Sequence, residues 1–100
     1  MSKRYGFSES IAMQVYSKTG GKCFYCDEKL INEDMLDWGG KVVSTVRRWH
    51  VDHSLPLSRG GDNSIDNLLP ACISCNSIKR ARTADEFIQQ EQAYLQLRRA

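Results

Sequence analysis

Apolar positions near the start recur at helical spacing: Ile11, Ala12, Val15 and Tyr16 share one face of a helix whose N-cap is Ser8. Thr19-Gly20-Gly21 ends that helix. After Cys23-Phe24-Tyr25-Cys26, the stretch 27–37 is polar; Leu30, Ile31, Met35 and Leu36 anchor it without following either period. Gly39-Gly40 reads as a turn, and Val42 to Val51, rich in β-branched and aromatic residues, predicts one or two strands. The loop 56–63 follows, with glycines that permit tight turns. Pro70 biases Leu69 toward an extended backbone, so the next helix is predicted from about Ile73 to Ala81, with Lys79, Arg80 and Arg82 at its basic end. Thr83-Ala84-Asp85-Glu86 is a capping box that opens a last helix. That helix carries Phe87, Ile88, Tyr94 and Leu95 on one face and ends in Arg98 and Arg99, where cations suit the dipole.

Composition narrows the class. With 100 residues, 41% of them hydrophobic and 26% charged, the chain reads as one domain spanning 1–100, and disordered or collagen-like readings are excluded. A domain of this size has a thin core, and four cysteines offer a staple. No stretch approaches the roughly 18 apolar residues of a membrane span, and Met1-Ser2-Lys3-Arg4-Tyr5-Gly6 leads into no apolar signal segment. The expectation is a cytoplasmic protein with reduced thiols and no membrane partner. The net charge of +2 says little about nucleic acid, because zinc bound by four thiolates would bring the total to zero. Only the local placement of Arg and Lys can speak to that.

Cys23-x-x-Cys26 and Cys72-x-x-Cys75 are two thiolate pairs, each able to aim both sulfurs at one point, and together they complete a tetrahedral zinc site. The 45 residues between Cys26 and Cys72 exceed a compact zinc ribbon, so the pairs clamp a loop with structure of its own. A disulfide framework lacks a secretory signal, and a redox pair would need one Cys-x-x-Cys beside a βαβ pattern. Structural Zn²⁺ is therefore the expectation; a four-sulfur shell leaves no open position for chemistry.

Inside the clamp lies Val51-Asp52-His53-Ser54-Leu55-Pro56-Leu57-Ser58-Arg59-Gly60-Gly61-Asp62, followed by Asn67-Leu68-Leu69 and Cys72-Ile73-Ser74-Cys75-Asn76-Ser77-Ile78-Lys79. A carboxylate and a carboxamide oxygen suit a hard cation, Mg²⁺ or Mn²⁺. A histidine beside such a cation can take a proton from water. These are the parts for metal-assisted phosphodiester hydrolysis. Neighbouring strand residues point to opposite faces, so Asp52 and His53 serve one site only if the strand ends or twists there. His50 would share the face of Asp52, as a phosphate contact, an extra ligand or a structural histidine.

The Asp-His pair, the Pro-x-Ser-Arg-Gly-Gly loop, the Asn-Leu step and the Cys-x-x-Cys-Asn-x-x-Lys end resemble HNH endonucleases of the zinc-bearing, ββα-metal type, over Cys23 to about Arg82. The resemblance implies an α+β fold: a β-hairpin and helix around a metal, here clamped by the four cysteines and flanked by N- and C-terminal helices. It implies DNA hydrolysis leaving a 5′-phosphate and a 3′-hydroxyl. By it, His53 matches the general base, Asp52 and Asn76 the ligands of the catalytic cation, and Asn67 the central asparagine that braces the loop and helps orient the histidine. Asn76 stands where some members carry histidine, which favours Mg²⁺ or Mn²⁺.

Arg59, Lys79, Arg80 and Arg82 are candidate phosphate contacts, with Arg47 and Arg48 weaker. Trp38 and Trp49 either stack on bases or fill the core. DNA is the expected partner, cut one strand at a time by a monomer; a homodimer or a partner protein would add double-strand cutting or specificity. The alternative is a non-catalytic zinc-ribbon nucleic-acid-binding module, which has no use for Asp52, His53 and Asn76 together.

Overall fold

The computed structural model describes residues 7–30 and 49–100. The expected turn at Gly39-Gly40, the strand positions before Trp49, and Trp38, Arg47 and Arg48 lie outside the described residues.

The first helix, α1, spans Glu9–Ser17, and the Ser8 hydroxyl accepts from the Ile11 amide as its cap. Ala12 and Val15 are buried, with Ile11 and Tyr16 packed beside them, as the periodicity predicts. Gly20 and Gly21 take φ of 64° and 84°, a left-handed backbone that glycine adopts without the clash a Cβ brings. The chain then closes on itself through a Lys22–Lys29 bridge, with Cys23–Cys26 between.

Strand β1, Trp49–His53, pairs antiparallel with β2, Leu68–Cys72, placing Asp52 opposite Leu69 and His53 opposite Leu68. The connection between them carries two single 3₁₀ turns, Leu57–Arg59 and Ile65–Asn67. Helix α2, Ile73–Lys79, leaves β2 without a loop, capped by the Cys72 sulfur. This is an α+β fold built on a ββα unit beside a four-cysteine cluster. Trp49, Tyr25, Phe87, Leu30, Leu68 and Val15 fill the core, so Trp49 is a packing residue. Among the described residues, no helix is long and apolar enough to cross a membrane.

Two expectations change. Helix α2 stops at Lys79 rather than Ala81, because Arg80 turns to φ 55°, ψ −132° and breaks the helical backbone. The C-terminal helix is two helices, α3 (Ala84–Gln90) and α4 (Gln92–Arg99), meeting at Glu91 with φ −117°, ψ 33°. Arg82 holds the Glu91 carboxylate at 3.0 Å, and the changed direction sends α4 back over the Cys23–Cys26 turn. The capping box forms as the sequence predicts, Thr83 accepting from the Glu86 amide and Glu86 from the Thr83 amide.

Candidate active site and metal centre

The sulfurs of Cys23, Cys26, Cys72 and Cys75 lie within 4.8 Å of one another, all four buried and unbridged. Cys26 and Cys72 are 3.7 Å apart. Sulfurs around a tetrahedral zinc stand about 3.8 Å apart, so the Cys26–Cys72 spacing matches such a site and the cluster as a whole is compact enough to close on one ion. Backbone amides support it: Tyr25 donates to Cys23 and Cys75 to Cys72, each at 3.4 Å. Asp27 turns the chain at φ 63°, and the Phe24 amide ties this turn to β2 through the Pro70 carbonyl at 2.8 Å. Neighbouring sulfurs divide the protons unequally. Hydrogen bonding from Cys23 holds Cys26 and Cys72 below the ordinary thiol value, Cys72 at about 7, while Cys23 and Cys75 are pushed above it. A metal ion would displace the remaining protons.

The second site grows from β1 and α2. Strand alternation puts His50 and Asp52 on one face, and α2 packs over that face with Asn76 and Lys79, one turn apart. Asp52 is 6% exposed, and both its oxygens have partners. Tyr25 donates to Oδ2 at 2.5 Å and the Lys79 ammonium lies 3.3 Å from Oδ1. Burial, and then Asp52 beside it, push the Tyr25 phenol up, so it stays a donor. A carboxylate has about four lone-pair sites, so Asp52 retains room for a cation. Asn76 Nδ2 lies 2.9 Å from His50 Nδ1; with the amide donating, its Oδ1 is left to ligate.

His53 is the last residue of β1, where the strand ends. Its Nε2 lies 2.8 Å from Asn63 Oδ1, an oxygen that can only accept, so Nε2 carries the proton and Nδ1 keeps the lone pair. The Phe7 ring is tilted against the imidazole, centroids 6.0 Å apart, and the His53 carbonyl accepts from Lys79 at 2.9 Å. Asp52, His53, Asn76, Lys79 and Arg80 line a single depression of about 180 Å³. The strand end thus brings adjacent residues to one site despite their opposite faces.

Asn67 lies apart from this depression. Its side chain accepts from the Leu55 amide (2.8 Å) and donates to the carbonyls of Leu55 (3.0 Å) and Asp62 (2.9 Å), closing the β1–β2 connection. Gly61 sits inside that closure, where a Cβ would fall 1.8 Å from the Leu55 oxygen. The ring partner of His53 is Asn63, which the sequence reading passes over.

The four basic candidates separate. Lys79 is 1% exposed and bound to Asp52 and the His53 carbonyl, so its ammonium is committed inside the protein at the floor of the depression. Arg82 is likewise committed, to the Ile78 carbonyl (2.7 Å), the Lys79 carbonyl (3.1 Å), Glu91 and the Phe87 ring. Arg59 is exposed and pairs with Glu86 at 2.5 Å, holding that carboxyl at about 2. Arg80 is exposed at the edge of the depression, and its guanidinium has no ionic or hydrogen-bonding partner among the described residues.

Three contacts at these sites go unread in the sequence: Tyr25 on Asp52, Asn63 on His53, and Arg98 on the sulfurs of Cys26 and Cys72. Tyr25 fills a spacer position of Cys-x-x-Cys, a place that spacing leaves unread, and the signal for the others exists only in three dimensions.

A family model described as HNH endonuclease matches residues 23–82. The SPbeta prophage-derived protein YoqL of Bacillus subtilis (strain 168), whose name proposes an HNH endonuclease, is 38% identical over 66 residues. That alignment covers 66% of this chain and 26% of YoqL, so the chain spans about a quarter of that relative's length. With sixty consecutive residues matched, from the first thiolate pair through the helix that presents Asn76 and Lys79, the chain belongs to the HNH endonuclease family.

Proposed function

We propose that this chain is a metal-dependent DNA endonuclease that leaves 5′-phosphate and 3′-hydroxyl ends and, as a monomer, nicks one strand. The observation that carries this reading is the convergence of Asp52, His53 and Asn76 on one depression with the exposed Arg80 at its edge. A buried tetrathiolate zinc would serve as scaffold, fixing the start of α2 through Cys72 and Cys75. Reduced thiols fit a cytoplasmic site of action.

His53 Nδ1 takes the proton of the attacking water, and Asn63 steadies the imidazolium through Nε2. Arg80 grips the phosphate with a guanidinium that no carboxylate among the described residues occupies. Asp52 and Asn76 Oδ1 form a hard-oxygen pair suited to Mg²⁺ or Mn²⁺, which when bound neutralises charge developing on the departing 3′-oxygen. Lys79 offsets part of the Asp52 charge, so the DNA phosphate completes the attraction for the cation.

Supercoiled plasmid incubated with the zinc-loaded chain and Mg²⁺ or Mn²⁺, with EDTA as control, tests the proposal. The wild type should give open circles, and His53→Ala should give them about 10²–10⁴-fold more slowly while keeping its zinc and its DNA affinity. Binding without cleavage in either metal would leave the zinc-ribbon binding module as the function. Cleavage by His53→Ala at the wild-type rate would remove His53 from the role of base.

A further inference from the structure

Arg98 lies on α4, beyond the residues matched by the family, yet its guanidinium rests on the metal centre. Its Nη2 is 3.6 Å from Cys72 Sγ and 3.8 Å from Cys26 Sγ, one sulfur from each thiolate pair. Glu28 pairs with the same nitrogen, and Tyr94 accepts from Nη1 at 3.3 Å while its ring lies under the guanidinium, 5.8 Å from centroid to Cζ. Glu28 and Tyr94 therefore hold the side chain in the pose that points it at the sulfurs. A zinc bound by four thiolates carries a double negative charge, and burying it is unfavourable unless donors or cations meet the sulfurs.

We propose that Arg98 is a positioning residue of the metal centre: by donating to Cys26 and Cys72 it fixes one ligand of each pair, offsets the tetrathiolate charge, and makes zinc retention depend on docking of α4. The inference rests on the zinc reading of the four cysteines. The adjacent Arg99 is a built-in control. It donates to the Tyr25 carbonyl at 3.0 and 2.6 Å and lies 3.7 Å from Asp27, so it holds the same turn without touching sulfur.

The experiment uses the full chain loaded with zinc, and separately with Co²⁺, as wild type, Arg98→Gln, Arg98→Lys and Arg99→Gln. Zinc release to excess chelator should be about tenfold faster in Arg98→Gln, intermediate in Arg98→Lys, and within about twofold of wild type in Arg99→Gln. In the cobalt proteins, the thiolate-to-metal charge-transfer band should move to longer wavelength in Arg98→Gln and stay in place in Arg99→Gln, because loss of N–H donors raises the sulfur lone pairs. Wild-type release with an unmoved band in Arg98→Gln, or equal acceleration in Arg99→Gln, overturns the proposal. Should Arg98→Gln not fold, Arg98→Lys decides: a lysine variant identical to wild type in rate and band also overturns it. A wild-type chain that retains neither zinc nor cobalt overturns the metal centre itself, a result distinct from zinc bound and released at an unchanged rate.

Discussion

The same strand–helix unit serves a closed end and an open one. At the closed end four sulfurs, each 0–1% exposed, face one another with no room for a substrate. At the open end His53 and Asn76 are half-buried around a depression of about 180 Å³. Cys75 and Asn76 are adjacent in the chain, and a helical step of about 100° is what turns one toward the cysteines and the other toward the depression. A metal held at the closed end would also act on the open one, since whatever orders Cys72 and Cys75 also orders the helix that carries Asn76 and Lys79. Tyr25 makes the link direct: seated between two cysteines, it donates to the carboxylate of the other site.

The severest way to break the contrast is Cys75→Ala. Structural zinc in small sites supplies about 10–16 kcal/mol toward the folded state, as much as the whole stability of about 5–15 kcal/mol typical of a domain. Circular dichroism should show loss of helix, and plasmid cleavage should vanish with it. A folded, active, zinc-free Cys75→Ala would separate the two ends. His53→Ala acts on the open end alone. Cleavage should fall by about 10²–10⁴-fold, the range for a general base, with zinc content and thermal unfolding as in wild type.

What the sequence reveals depends on whether a feature is local. Ser8 and the Thr83–Glu86 box announce helix starts because a cap is written in residues three apart, and both form. The cysteine pairs announce a cluster for the same reason, and the family motif selects Asp52, His53 and Asn76, which the fold brings to one depression. The break at Glu91 carries no glycine or proline to signal it; it follows from Arg82 reaching across to the Glu91 carboxylate. Asn63 and Tyr25 reach their partners across 10 and 27 positions, and Arg98 reaches Cys26 across 72, so no periodicity could expose them. Lys79 is the instructive reversal: a lysine at a helix end reads as a solvent cation, and only the packed structure shows it holding Asp52.

A smaller perturbation tests the link between the two ends. Tyr25→Phe keeps the ring that meets Phe87 edge-on at 5.0 Å and removes only the hydroxyl on Asp52. Loss of such an orienting partner costs about 10-fold in activity, so cleavage should fall by that factor while zinc release to chelator stays at the wild-type rate. Unchanged cleavage would mean that Asp52 is oriented without Tyr25. Faster zinc release would mean that the phenol serves the closed end.

The smallest expected effect comes from Arg80, and it sets stability against binding. At φ 55°, ψ −132° a residue with a Cβ is strained, by about 1–3 kcal/mol in such regions, and glycine is not. Glycine's greater freedom when unfolded returns part of that gain, so Arg80→Gly should raise the unfolding free energy by about 1 kcal/mol. The same change removes one phosphate contact, so DNA affinity should fall several-fold at low salt. The slope of log affinity against log salt should become shallower by about 0.9, the value for one phosphate contact on duplex DNA. A variant that is more stable and binds more weakly would show that the chain tolerates backbone strain to keep a cation at the edge of the depression. A variant that is less stable and binds DNA as before would show that the side chain serves the fold, leaving Arg59 as the remaining exposed candidate among the described residues.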